Sequence, residues 1–132
     1  MSNEFLLRFQ EFLGKNGWPT EASPWSIIEQ WEGFVEECSN CYQWGFYEFD
    51  NEVRVRGLLE KAITDPGLVN YEQAQAIRER VGLADERFRE LLYPTQIRTE
   101  EAPWWRRGVL AHAGEEYRED IKRLYNVDVK PC

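Results

Sequence analysis

The apolar residues of this chain recur at the spacing of an α-helix in almost every segment. Near the start, five apolar side chains fall at i, i+1, i+4, i+7 and i+8, which places them on one helical face: Phe5, Leu6, Phe9, Phe12 and Leu13. A longer stripe follows Ser23-Pro24, a capping residue before a proline at the first helical position. It passes through Ile27, Ile28, Trp31, Phe34, Val35, Cys38 and Cys41 or Tyr42. We therefore expect two amphipathic helices in the first third of the chain.

The segment from Trp44 to Thr64 allows two interpretations. Asp50 and Asn51 are suitable caps for a third helix that follows them. Alternatively, one helix begins at about Phe46 and continues through the segment. Both are helical, so the choice does not change the predicted fold class.

The remaining periodic segments are also helical. The pattern predicts a helix from Asn70 that ends at Gly82, another over residues 85–93, a possible short helix after Pro103, and a last helix from about Glu115 to Tyr125 with Leu124 facing inward. No alternating pattern typical of a strand extends beyond a few residues. We predict an all-α protein, a compact single-domain bundle of five or six helices with short loops, formed by residues 1–132.

The charges are distributed unevenly along the chain. Residues 1–52 carry ten Asp and Glu against two Lys and Arg, whereas the other 80 residues carry fourteen of each sign and balance. The same first segment holds four of the six Trp and six of the seven Phe. Negative charge among aromatic rings suits a surface that captures a basic protein, because charge steers the encounter and rigid rings supply contact area.

Two groups of acidic residues in this segment have no basic residue nearby in sequence until Arg54 and Arg56. Like charges at helical spacing cost a few tenths of a kcal/mol per pair, so their retention suggests use by a partner. A solvated acidic face is the alternative explanation, as is neutralisation by Arg54 and Arg56. The predicted partner-binding residues are Glu29, Glu32, Glu36, Glu37, Trp44, Tyr47, Glu48, Phe49, Asp50 and Glu52.

Several function classes are disfavoured. A sequence pI near 4.8 disfavours direct binding of nucleic acid, which usually requires a basic face. No apolar run has the length of a membrane span, and the first residues lack the pattern of a signal peptide, so we expect a cytoplasmic protein. No nucleophile elbow, phosphate loop, nucleotide fingerprint or metalloprotease motif is present. We therefore expect neither enzymatic activity nor a cofactor.

The three cysteines allow two interpretations. Cys38 and Cys41 form a C-x-x-C, and with His112 and Cys132 they could supply a zinc or redox site. The favoured interpretation is that Cys38 and Cys41 are small buried side chains on one apolar helix face. In the cytosol all three thiols are expected to be reduced, and an odd number fits no disulfide framework.

Most of the chain from about residue 25 resembles a group of small bacterial proteins similar in character to immunity proteins, the acidic inhibitors that bacteria make against toxins. The residues that carry the resemblance are Trp31-x-x-Phe34-Val35, Tyr42-x-Trp44-Gly45-x-Tyr47-Glu48-Phe49-Asp50-Asn51-Glu52-x-x-Val55-Arg56, Pro103-Trp104-Trp105-Arg106-Arg107-Gly108 and Ala113-Gly114-Glu115-Glu116-Tyr117. The resemblance implies an inhibitor that binds and blocks a basic toxin, with a nuclease as the favoured target. A phage-encoded inhibitor of a host defence nuclease is the alternative, because it needs the same kind of acidic surface. The oligomeric state is left open.

Overall fold

The computed structural model describes residues 2–98 and 101–132, and these residues are predominantly helical. The α-helices in these two ranges are α1 (Ser2–Lys15), α2 (Pro24–Ser39), α3 (Phe46–Glu52), α4 (Arg54–Thr64), α5 (Glu72–Glu90) and α6 (Glu115–Tyr125), with a 3-10 helix at Trp104–Arg106. In the same ranges, β pairing is limited to two isolated bridges, Leu92 with Leu110 and His112 with Lys130. The all-α prediction is confirmed.

Two helical boundaries differ from the predicted ones. The segment after Trp44 forms two helices, because α3 ends at Glu52 and α4 starts at Arg54. Asp50 and Asn51 therefore lie inside α3 and cap nothing. The predicted break at Gly82 is also absent, since α5 continues through it. A glycine in a helix costs about 1 kcal/mol, and burial of the apolar face on either side of Gly82 offsets that cost.

The backbone contacts divide the chain into two compact units, and the prediction of one domain over residues 1–132 stays a prediction. The first unit contains residues 2–32 and 55–84. Its buried residues include Phe5, Phe9, Leu13 and Ile27, and the Phe5 ring meets Tyr71 edge-on at 5.5 Å. The predicted cap at Ser23 is present as a reciprocal capping box, in which the backbone N–H of Ser26 donates to Ser23 Oγ at 3.0 Å and that of Ser23 donates to Ser26 Oγ at 3.1 Å.

The second unit contains residues 33–54, 85–98 and 101–132, and its core is a cluster of aromatic rings. Phe34, Tyr42, Phe49, Phe88 and Tyr117 are all buried there. The Tyr117 hydroxyl accepts a hydrogen bond from the backbone N–H of Leu110 at 3.0 Å, which satisfies its buried oxygen.

The C-terminal tail is attached to the second unit by backbone hydrogen bonds. The N–H of Ala113 donates to the carbonyl of Lys130 at 3.0 Å, and the N–H of Lys130 donates to the carbonyl of Ala111 at 2.9 Å. Among the helices within the described ranges, none combines the length and the hydropathy that a membrane crossing requires.

Candidate partner-binding surface

Three carboxylates that the sequence leaves uncompensated are neutralised by arginines distant in sequence. In the first unit, Glu32 accepts two hydrogen bonds from Arg80, at 2.9 and 2.5 Å. In the second unit, Glu36 accepts one from Arg87 at 2.7 Å, and this bond is the first cause of the lowered pKa of Glu36. Arginine pairing reduces the negative charge that these two glutamates present, so the expectation that they are uncompensated is wrong, while their role in partner binding stays a prediction.

Asp50 is the third neutralised carboxylate. Its Oδ1 accepts hydrogen bonds from Arg98 and from Arg106, each at 2.9 Å. The two arginines lie 48 and 56 residues further along the chain. Two guanidinium groups on one carboxylate more than cancel its charge, so Asp50 is not the uncompensated carboxylate that the sequence indicated, and its role in partner binding stays a prediction. The neutralising residues are Arg98 and Arg106, and not the nearby Arg54 and Arg56 that the sequence suggested.

Phe49 belongs to the core and not to the surface. Its side chain is 0% exposed, and its ring lies 5.3 Å from that of Phe34 and 5.1 Å from that of Tyr117. A side chain enclosed in this way cannot contact a partner without unfolding. The prediction of Phe49 as an interface anchor is therefore wrong.

Trp44 and Tyr47 lie at the surface of the second unit. Trp44 is 54% exposed and Tyr47 is 83% exposed, which makes them two of the large apolar side chains that the fold leaves open to water. Phe46, between them, is buried, and its backbone N–H donates to Asp120 Oδ2 at 2.9 Å. This bond joins the first turn of α3 to α6. The segment that carries the two exposed rings is therefore attached to α6 at Phe46.

Glu37, Glu48 and Glu52 lie close enough for their charges to interact. Burial raises the pKa of Glu52, and the negative charges of Glu37 and Glu48 raise it further, while the hydrogen bond from the Tyr42 hydroxyl opposes the increase. That bond is 2.5 Å long and ends on Glu52 Oε2. Glu37 and Glu48 are exposed, and no ion pair in the described ranges involves either of them. We name Glu37, Trp44, Tyr47, Glu48 and Glu52 the acidic aromatic surface.

The raised pKa of Glu52 predicts a pH dependence of stability. A carboxyl whose folded pKa exceeds its unfolded value contributes stability at low pH, and this contribution is lost as pH rises through the folded pKa. Replacement of Glu52 by glutamine removes the charge but leaves an oxygen that can accept from Tyr42. We expect the free energy of unfolding of E52Q, relative to wild type, to increase between about pH 4 and about pH 7 in urea titrations. A difference independent of pH would contradict this expectation.

Glu29 stays a prediction as a partner-binding residue. It is exposed on α2 in the first unit, whereas the five residues of the acidic aromatic surface belong to the second unit. The positive charge of Arg80 also reaches Glu29, although its hydrogen bonds go to Glu32. The ten predicted residues thus separate into three carboxylates whose charges interact, two exposed rings, three neutralised carboxylates, one core ring and Glu29.

The cysteines differ from their prediction. Cys41 and Cys132 form a disulfide across 91 residues of sequence, with their Cα atoms 5.8 Å apart, so the expectation of three reduced thiols is wrong. Helix α2 ends at Ser39, and Cys41 adopts a φ of 72°, so it shares no helix face with Cys38. Cys38 is buried as predicted, and burial raises the pKa of its thiol. This makes it a poor nucleophile.

The alternative zinc site is not formed. The disulfide leaves Cys41 and Cys132 without a thiolate for a metal, and His112 is exposed. Over the described ranges, no group of three or more His, Cys, Asp or Glu side chains is arranged to hold a metal ion. The zinc interpretation of the C-x-x-C is therefore wrong.

Leu124 and Arg54 are surface residues that the sequence did not identify. The helical pattern of α6 predicts Leu124 to face inward, but it is 49% exposed, whereas Tyr117 and Ile121 are buried. Leu124 follows Ile121 by three residues and Tyr117 by seven, so the pattern alone could not separate it from the core. Both residues line a groove of about 400 Å³ beside Tyr47.

Comparisons of the chain with family models, curated proteins and solved structures find no match.

Proposed function

We propose that this protein binds a basic protein through the acidic aromatic surface and inhibits that protein by covering its functional face. The observation that carries the proposal is the exposure of Trp44 and Tyr47, together with the exposed carboxylates of Glu37 and Glu48, for which residues 2–98 and 101–132 supply no ion pair.

The two exposed rings provide the contact energy. Tyrosine and tryptophan are enriched among the residues that dominate binding energy, because they bury a large area and lose little conformational freedom. Their neighbours Phe46 and Phe49 pack into the core and fix the position of α3. The rings are therefore presented by a framework that needs little reorganisation on binding.

The carboxylates determine which partner is attracted. The chain has a net charge of −8, and three carboxylates of the acidic aromatic surface lie close enough for their charges to interact. No ion pair among the described residues involves Glu37 or Glu48. A cationic partner relieves their mutual repulsion, while an anionic partner increases it. This set is smaller than the one predicted from sequence, because intramolecular arginines neutralise Glu32, Glu36 and Asp50.

A toxin with a basic, phosphate-attracting cleft, such as a nuclease, fits this surface. Such a toxin is the target of an immunity protein. A phage inhibitor of a host nuclease meets the same physical requirements. Cytoplasmic location remains a prediction, and the Cys41–Cys132 disulfide weighs against it because reducing compartments rarely retain disulfides.

The experiment that tests the proposal identifies the partner by crosslinking it to a chosen residue of the surface. A photo-crosslinking amino acid is placed at Tyr47 and, as a matched control, at Leu83, which is 65% exposed on α5 in the first unit. A protein of the native host that crosslinks at Tyr47 but not at Leu83 is then purified. Its binding, and the inhibition of any nuclease activity that it has, are measured with both proteins pure.

We expect Y47A to weaken binding of that partner by about 2 kcal/mol, or roughly 30-fold, and L83A to leave it within about twofold. The association rate constant should fall about tenfold between about 20 mM and about 500 mM salt, because screening removes the attraction between the surfaces. A partner whose affinity is unaffected by Y47A, or whose association rate is independent of salt, would overturn the proposal.

A further inference from the structure

A groove in the second unit carries a charge opposite to that of the chain as a whole. It is lined by α3, the first residue of α4, the 3-10 helix and α6, and it encloses about 400 Å³. This volume lies within the range of about 300–1,000 Å³ that is typical of small-molecule sites. The groove shares only Tyr47 with the acidic aromatic surface.

Positive charge is in excess at this groove. Three arginines line it, Arg54, Arg106 and Arg123, against the two aspartates Asp50 and Asp120. A fourth arginine, Arg98, also donates to Asp50, so that one carboxylate serves two guanidinium groups. Among the residues that line the groove, three arginines against two aspartates leave one positive charge, within a chain whose net charge is −8.

Of the arginines that line the groove, Arg54 has the weakest interactions within the fold. Its guanidinium donates to the neutral amide oxygen of Asn51 at 3.2 Å, and its side chain is exposed. Asp120 accepts from Arg123 at 3.0 Å and from the backbone of Phe46 at 2.9 Å, so its charge is already shared. Arg54 is therefore available to form a bidentate pair with an oxyanion, the geometry that guanidinium groups favour.

Apolar surface completes the site. Tyr47 and Leu124 line the groove and remain exposed, so a flat apolar body that covers them is removed from water on binding. We infer that the groove binds a small organic anion, a carboxylate or phosphate attached to a flat apolar body, with Arg54 as the principal contact of the oxyanion. This inference does not rest on the proposed function, although Tyr47 belongs to both surfaces, because the ligand is a small anion and not a basic protein.

The test uses the full chain and two probes that represent the two sources of the oxyanion. Adenosine 5′-monophosphate supplies a phosphate and 2-naphthoate a carboxylate, and each is titrated by calorimetry and by amide chemical shifts of Phe46 and Tyr47. Adenosine and inorganic phosphate separate the contribution of the flat body from that of the charge. We expect at least one of the two organic anions to saturate the site and to bind more tightly than adenosine or inorganic phosphate. The anion that binds more tightly identifies the preferred oxyanion.

Two matched variants test the role of Arg54. R54Q should weaken binding of the anion about tenfold, because it removes a charge-assisted pair. R78Q is the control, since Arg78 likewise donates to a neutral amide oxygen three residues earlier, that of Gln75, but in the first unit. R78Q should bind within about twofold of wild type. Thermal unfolding of both variants confirms that they fold.

Three results would overturn the inference: no saturation by either anion, equal binding by R54Q and R78Q, or binding of inorganic phosphate or adenosine as tight as that of the organic anions. Because no protein partner is used, a failure here leaves the proposed function untouched. A failure to find a partner at Tyr47 likewise leaves this site untouched.

Discussion

Replacement of Phe49 by alanine is expected to lower the free energy of unfolding by about 3–5 kcal/mol, the range for removal of a buried aromatic ring. The ring is fully buried and lies 5.7 Å from Tyr42 and 6.3 Å from Phe88, in addition to its contacts with Phe34 and Tyr117. Alanine leaves a cavity among side chains that are themselves fixed by packing. Urea unfolding followed by circular dichroism measures the loss.

Y47A is the matched control for this substitution, because Tyr47 lies two residues earlier on the same helix but is exposed. We expect Y47A to change the free energy of unfolding by no more than about 0.5 kcal/mol. The pair thus separates a core role from a binding role within one turn of α3. A loss of less than about 1 kcal/mol in F49A would show that Phe49 is not a core residue.

Loss of the Cys41–Cys132 disulfide is expected to lower the free energy of unfolding by about 3–5 kcal/mol, because the cross-link closes a very long loop in the unfolded chain. The bond joins residues 91 positions apart and attaches the tail that pairs with residues 111–113. The variant C132S and wild-type protein in a reducing agent should show the same loss. Chemical unfolding with and without a thiol reductant makes the comparison.

The control for the disulfide is the reductant itself. Added to C132S, it should cause no further loss, because the two remaining cysteines are Cys38, whose thiol is buried, and Cys41, which has lost its partner. A wild-type protein whose stability does not respond to reduction would show that the bond contributes nothing. A further loss in reduced C132S would show that the reductant acts elsewhere.

Helical periodicity predicted the helices whose apolar stripe is regular. It failed where tertiary packing overrode a feature of the local sequence, such as a glycine within a helix. The apolar stripe at Ile27, Phe34 and Val35 is buried on α2 as its spacing predicts. Gly82 signals a helix end, yet α5 continues through it because its apolar face is buried on both sides. Leu124 fits the inward spacing of α6 but remains half exposed, since periodicity identifies a face and not the extent of its cover.

The candidate site was only partly visible in the sequence. Exposure of Trp44 and Tyr47 agrees with their predicted place at the surface, whereas Phe49 in the same short segment is enclosed by rings from other helices. The pairs that neutralise Glu32, Glu36 and Asp50 span 48 to 56 residues. A search within one helical turn cannot detect such pairs.

By itself the sequence determined the helical class, the helix cap at Ser23, and the net charge of −8, because these depend on composition and on neighbours within one turn. Only the tertiary structure decided which carboxylates are neutralised, which rings are buried, and that Cys41 meets Cys132. The physical reason is that charge compensation, burial and cross-linking depend on distances in space, which the folded chain sets between residues far apart in sequence.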